Sequence, residues 1–288
     1  MTVQALHHVR AMKGHTRPHL MLCDDNEIYV VKFRRNLHHP RQLASEYIAT
    51  RLARWVGLPA PECSAVYVPQ FLMDNTPELR TQLNAIKCAP GFHLCSRFVG
   101  GLDAGPVMDM LPQTYLHELT NGESFAGILA FDKWCSNTGR RQAVFHRTVG
   151  SRRYTAYFID QGDCFCGDAW AFSDLSDHGL FDQRSVYRDI TGWDSFEPFI
   201  TRLASIRPEV VWDIALQVPP EWYGGQMKSL EELIDSLLVR RSRIHQLIAN
   251  LRDRNPQLFP GWMSKTYAAV LPRPRAVFAS LSVGMLNG

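Results

Sequence analysis

The chain has 288 residues, 45% of them hydrophobic and 20% charged, which excludes a mainly disordered chain and any collagen-like, mucin-like or coiled-coil rod. Its 31 basic and 28 acidic residues give a net charge of +3, too weak to argue for direct nucleic-acid binding. A chain of this length buries enough apolar surface to fold without a disulfide or metal staple.

The first fourteen residues carry histidines and basic residues but no apolar core, so no secretory signal is predicted. No apolar run long enough for a membrane span follows. The seven cysteines (Cys23, Cys63, Cys88, Cys95, Cys135, Cys164 and Cys166) are odd in number and scattered, the pattern of reduced thiols in a cytoplasmic protein. Cys164 and Cys166 form a CxC with no second pair at zinc-site spacing.

His19–Cys23, the turn residues Asp24 to Asn26 and the β-branched, aromatic run Ile28–Phe33 predict a hairpin. A helix is predicted over Arg41–Val56, with Ile48, Leu52, Trp55 and Val56 on one face and Gly57, Pro59 and Pro61 ending it. Ala65–Val68 begins a further strand, residues 73–92 read as a polar excursion, and residues 92–99 read as another strand. Gly100-Gly101 marks a boundary between a small N-terminal lobe (1–100) and a larger C-terminal one (101–254). Within the second, Gly122–Cys135 reads as a buried helix and Tyr154–Ile159 as a strand running into Asp160. From residue 180 the pattern is mainly helical; Ser229 and Glu232 form a capping box for one long helix ending near Arg252. The tail 255–288 is rich in proline.

Four features follow one another in an order that points to phosphoryl transfer. Gly14 sits in a turn between strands, where a glycine lets backbone N–H groups approach a phosphate. Lys32 interrupts an apolar strand, and its ammonium there needs a partner. Glu46, fourteen residues on, supplies a helical carboxylate for it, the pairing by which kinases fix a phosphate-binding lysine. Asp132 and Asn137 form D-x-x-x-x-N, and Asp160 ends an apolar strand two residues before Gly162, as D-x-G. Kinase chemistry needs an aspartate to receive the hydroxyl proton, and an Asn and a later Asp to hold magnesium. Each feature has a plainer reading: a turn glycine, a half-wet strand, a solvated helix glutamate, a buried structural aspartate.

The pieces YVVKFRRN, HPRQLASEYIATRLARWVGLPAP, GFHLCSRF, FAGILAFDKWCSNTGRRQAVF, YFIDQGDCF and TGWDSFEPF, spanning about residues 8–200, resemble the HipA-like kinase domain family. The resemblance implies an α+β, bilobal protein-kinase-like fold, with a small β-rich N-lobe carrying one helix and a mainly helical C-lobe. It implies ATP between the lobes, Lys32 on its phosphates, Glu46 orienting Lys32, Asp160 on Mg2+, and Ser96 and Phe98 in a hinge against the adenine. It also implies a protein Ser/Thr substrate, or a regulatory protein partner.

The chain departs from the family's catalytic segment, which opens N-x-D and continues to an asparagine five residues after the aspartate: aligned on Asn137, the aspartate falls on Gly139 and the asparagine on Val144. Three assignments stay open: Asp132 and Asn137 take the two roles, Asn137 and Gln142 take them without a base, or nucleotide is bound and not used. Weighed separately, three functions stay open: a protein kinase, a pseudokinase regulating a partner, and, from the wider superfamily, a small-molecule or lipid kinase.

Overall fold

The computed structural model describes residues 2–14, 16–34, 40–80, 88–101, 105–174 and 177–262. Strands β1 (Val3–Ala11), β2 (His19–Cys23), β3 (Ile28–Lys32), β4 (Cys63–Val68) and β5 (Gly91–Arg97) close a barrel in the order β1-β2-β3-β5-β4. The predicted hairpin is β2–β3, and its turn places Asn26 at φ 62°, a left-handed position that asparagine tolerates. Alternate residues point inward, so Met21, Cys23, Val31, Val66, Val68 and Cys95 build a core inside the barrel.

Of residues 73–92, the described ones are more ordered than an excursion. Helices α2 (Gln70–Asn75) and α3 (Pro77–Arg80) bring Leu72, Met73 and Leu79 into the barrel core, and β5 starts at Gly91. Such short helices carry too few turns to show periodicity. Residues 81–87 lie outside the described ones.

Helix α1 (Arg41–Val56) has its predicted bounds. Gly57 stops it at φ 93°, and its N–H caps the carbonyls of Ala53 and Arg54. Ile48, Leu52 and Val56 are fully buried as expected, but Trp55 is 40% exposed. Polar residues on other faces are buried too, because α1 is covered on both sides. Leu94 on β5 packs on one side, while Ser45 Oγ donates to Gly167 O at 2.7 Å and receives Trp170 Nε1–H at 2.9 Å.

The later chain forms an antiparallel sheet of β6 (Val107–Met108), β7 (Gln142–His146) and β8 (Thr155–Ile159), with helices α4 (Gln113–Leu116), α5 (Ser124–Trp134), α6 (Phe199–Ala204), α7 (Pro208–Ala215), α8 (Met227–Arg240) and α9 (Ile244–Arg254). Every residue of α5 is buried. Gly127 makes this possible, since a Cβ there would lie 2.5 Å from the Phe199 ring.

The single long helix of the sequence is two helices, separated by a 3-10 turn at Arg241–Arg243. At that break buried Arg240 donates to the α5 carbonyls of Lys133 and Trp134, a tertiary demand invisible to periodicity. The capping box is absent, because α8 begins at Met227 and holds Ser229 inside its first turn. Of the tail, Phe259 is 1% exposed and Trp262 packs edge-on against Trp193, so residues 255–262 close the large core; the remainder lies outside the described residues. Among the described residues no helix is long and apolar enough to cross a membrane.

Candidate active site

Lys32 is the last residue of β3, opposite Leu94 of β5. Strand alternation sends Val31 into the barrel and Lys32 outward, where α1 carries Glu46. Lys32 Nζ lies 2.7 Å from both Glu46 carboxylate oxygens and 2.8 Å from Asp160 Oδ1. Asp160 leaves β8 at φ 60°, a left-handed turn that aims its carboxylate at the lysine. Such a position is open to Asp and Asn but strained for most other side chains. Its second oxygen accepts Gln142 Nε2–H at 2.6 Å, from the start of β7. Three residues predicted from sequence thus meet through one ammonium group.

The charges support one another. Burial alone would lower the Lys32 pKa, but the Glu46 and Asp160 carboxylates outweigh it and the net shift is upward. Lys32 in turn holds Asp160 below the usual carboxylate range, against its partial burial. Burial pushes Glu46 upward while Lys32 opposes it, and with both oxygens on Nζ we assign the pair as ionised.

Asp132 and Asn137 do not join this group. Asp132 is 1% exposed, its Oδ2 receives Arg141 Nε–H at 2.8 Å, and its Oδ1 receives Arg141 Nη2–H at 2.5 Å and Asn137 Nδ2–H at 2.9 Å. Asn137 Oδ1 accepts the Gly139 N–H at 3.0 Å. Both polar ends of Asn137 are engaged inside the protein, and Asp132 is sealed by a bidentate arginine. The expected proton acceptor and metal ligand are instead the buried brace of the loop from 135 to 141. The partner is Arg141; of the neighbouring cations, Lys133 donates to His178 O, and Arg140 lies exposed beside Asp182. Periodicity gave no hint of this, since an apolar context around an aspartate does not say which cation closes on it.

Gly14 lies exposed in the β1–β2 turn, its carbonyl accepting the Arg17 N–H at 3.1 Å. Ser96 sits on β5 between Val30 and Cys63, and the Phe98 N–H donates to Ile28 O at 2.8 Å where the chain leaves the barrel. Among the described residues no hydrogen bond ties these three to the Lys32 cluster. Gln142, which one open assignment paired with Asn137, stands on Asp160, and Asp163, to which sequence reasoning gave no place here, stands close by with its Oδ1 receiving Gln42 Nε2–H at 3.2 Å.

None of the seven cysteines, all among the described residues, forms a disulfide. Asp132, Cys135 and Cys164 lie within 4.8 Å of one another, but Arg141 occupies the carboxylate and burial drives the Cys135 thiol upward, which disfavours the thiolate a metal needs.

The HipA-like kinase profile matches residues 7–250. The chain belongs to the HipA-like kinase family. A comparison with curated proteins finds no match. Among solved structures, the Golgi casein kinase is 12% identical with a TM-score of 0.50, covering 88% of this chain and 73% of its own. The Helicobacter pylori proinflammatory kinase CtkA is 15% identical with a TM-score of 0.50, covering 85% of this chain and 99% of its own. HipA of Shewanella oneidensis MR-1, solved with HipB and operator DNA, is 13% identical with a TM-score of 0.48, covering 78% and 60%. The first two show that this HipA-like chain has an α+β, kinase-like fold. Family and fold together support a kinase-like phosphotransferase.

Proposed function

We propose that this HipA-like protein transfers the γ-phosphoryl group of ATP, with Mg2+, to a serine or threonine hydroxyl of a protein. One observation carries the reading: Lys32 is clamped by Glu46 from α1 and Asp160 from the end of β8, all within 2.8 Å. That arrangement holds a cation for nucleotide phosphates beside a carboxylate for a metal. The donors fit magnesium, since Asp160 and the Gln142 amide carbonyl offer hard oxygens. Bound there, the metal neutralises phosphate charge. Lys32 meets the phosphates, Glu46 keeps Lys32 aimed, and Gln142 orients Asp160.

In this reading the barrel with α1 is the small lobe (1–100), the later sheet and helices are the large lobe (101–254), and 255–288 is an appended tail. Ser96 and Phe98 form the hinge against the adenine, and Gly14 lies in the loop over the phosphates. Seven cysteines outside any disulfide favour the cytoplasm. A protein is the proposed partner, as substrate or regulator.

The test is thermal unfolding with and without ATP and Mg2+, on wild type and Asp160→Asn. Asparagine is chosen because it tolerates the left-handed backbone of residue 160. At one hundred times its dissociation constant the ligand should add about 2.7 kcal/mol of stability. A magnesium-dependent rise lost in Asp160→Asn supports the site; no rise at saturating ATP removes it. The sealed Asp132 favours a second reading, a nucleotide-binding pseudokinase. It predicts the same thermal rise with no ADP formed.

A further inference from the structure

We infer that the carboxylate of Asp163 is the group that takes the proton from the attacking hydroxyl, a role reached through its seat over Gly139. The inference rests on the phosphotransfer reading of the Lys32 site.

Elimination leads to Asp163 first. Glu46 and Asp160 are committed to Lys32, and Asp132 to Arg141. Asp163 is half-buried, three residues beyond Asp160. Its Oδ1 takes the Gln42 amide, and its Oδ2 accepts no hydrogen bond from the described residues.

Position makes the second argument. A Cβ built on Gly139 would lie 2.8 Å from the Asp163 Cγ and 2.9 Å from its Cβ, and nearer still to Oδ2. The Asp163 carboxylate therefore occupies the space that a side chain at 139 would fill. Gly139 has no positive φ, so its backbone does not call for glycine; the carboxylate standing over it does. Residue 139 is well placed for the chemistry. It lies three residues before Gln142, which touches Asp160, and its N–H is pinned by Asn137. The neighbouring Thr138 N–H donates to the Asp163 carbonyl at 3.1 Å, locking the two segments together. The aspartate that the resembling segment lacks at 139 is thus supplied from 163.

In the step, the substrate hydroxyl oxygen bonds to the γ-phosphorus and the bond to the β,γ-bridging oxygen breaks. ADP leaves with that electron pair, and the hydroxyl proton passes to Asp163 Oδ2. No oxidant or further reactant is required.

The experiment compares wild type, Asp163→Asn and the exchange Gly139→Asp/Asp163→Gly. ATP with Mg2+ is the probe, binding is read by thermal unfolding, and transfer by ADP formation and intact mass. Asp163→Asn is expected to bind as wild type while transfer falls about 10²–10⁴-fold. The exchanged chain should regain at least tenfold of that loss. A readout free of activity accompanies it: Gly139→Ala should lower the melting temperature, and Asp163→Gly in the same chain should cancel that penalty. Should the exchanged chain fail to fold, Asp163→Asn and this coupling decide.

An Asp163→Asn chain with wild-type transfer overturns the inference. So does a defect that saturating Mg2+ repairs, which makes Asp163 a metal ligand, and so does an absence of coupling between 139 and 163. Wild type that binds ATP and forms no ADP overturns it while sparing the nucleotide site. Wild type that binds no ATP overturns both.

Discussion

Lys32 carries three contacts of 2.7–2.8 Å, so its loss leaves Glu46 and Asp160 without their shared cation and should be felt in both function and stability. Lys32→Met is expected to cut transfer about 10²–10³-fold, the usual cost of removing one charge-stabilising donor, as measured by ADP formation. Asp132 should act on stability alone. Its carboxylate and the Arg141 guanidinium are both fully buried, so Asp132→Asn leaves a buried charge uncompensated. A loss of about 3–5 kcal/mol is expected in denaturant unfolding. A variant of full stability with slowed transfer would return Asp132 to the catalytic role. His19 adds a pH dependence. It is 6% exposed on β2, its Nδ1 3.0 Å from His8 Nε2 and its ring edge-on to Phe33. Burial, with help from His8, brings its pKa down to about 4. The unfolded histidine, near about 6.5, binds a proton that the folded one refuses. Stability is therefore complete above about pH 6.5 and falls as pH drops toward 4. His19→Gln should flatten that slope in melting curves taken between these values.

Among the elements, α1 organises the site and was the most legible. Its apolar spacing, the proline before it and Gly57 after it are local signals, and local signals survive in sequence. At φ 93° Gly57 holds a conformation that costs an L-residue about 1–2 kcal/mol, and a Cβ would also push against the flexible end of Arg202. Gly57→Ala should lower the denaturation midpoint accordingly, with an unchanged slope. Legibility fell where a neighbour decides. Trp55 fitted the helical pattern yet faces solvent, and Ser229 looked like a cap yet lies inside α8. Strand β7 went unpredicted, because Arg141 and Gln142 at its start are polar for tertiary reasons. One braces Asp132 and the other reaches Asp160.

On the scale of the whole molecule, a barrel with its own core joins a larger helical core through α1 and the Lys32 contacts. The chain from 255 to 262 finishes the larger core, with Phe259 packed near Tyr187 and Trp262. Phe259→Ala is expected to cost about 3–5 kcal/mol in calorimetry, and a neutral result would detach this segment from the core. The sequence by itself determined the strand–helix–strand order, the cation on β3, the carboxylate on α1 and the aspartate closing β8. Each is written in neighbouring residues, as periodicity, a turn signal or a charge in an apolar run. Only the tertiary structure decided which carboxylates are free. Asp132 was closed off by an arginine nine residues on, and Asp163 was set over Gly139 across a gap of twenty-four positions. Burial and pairing of charge depend on what the fold brings together, and no local pattern records that.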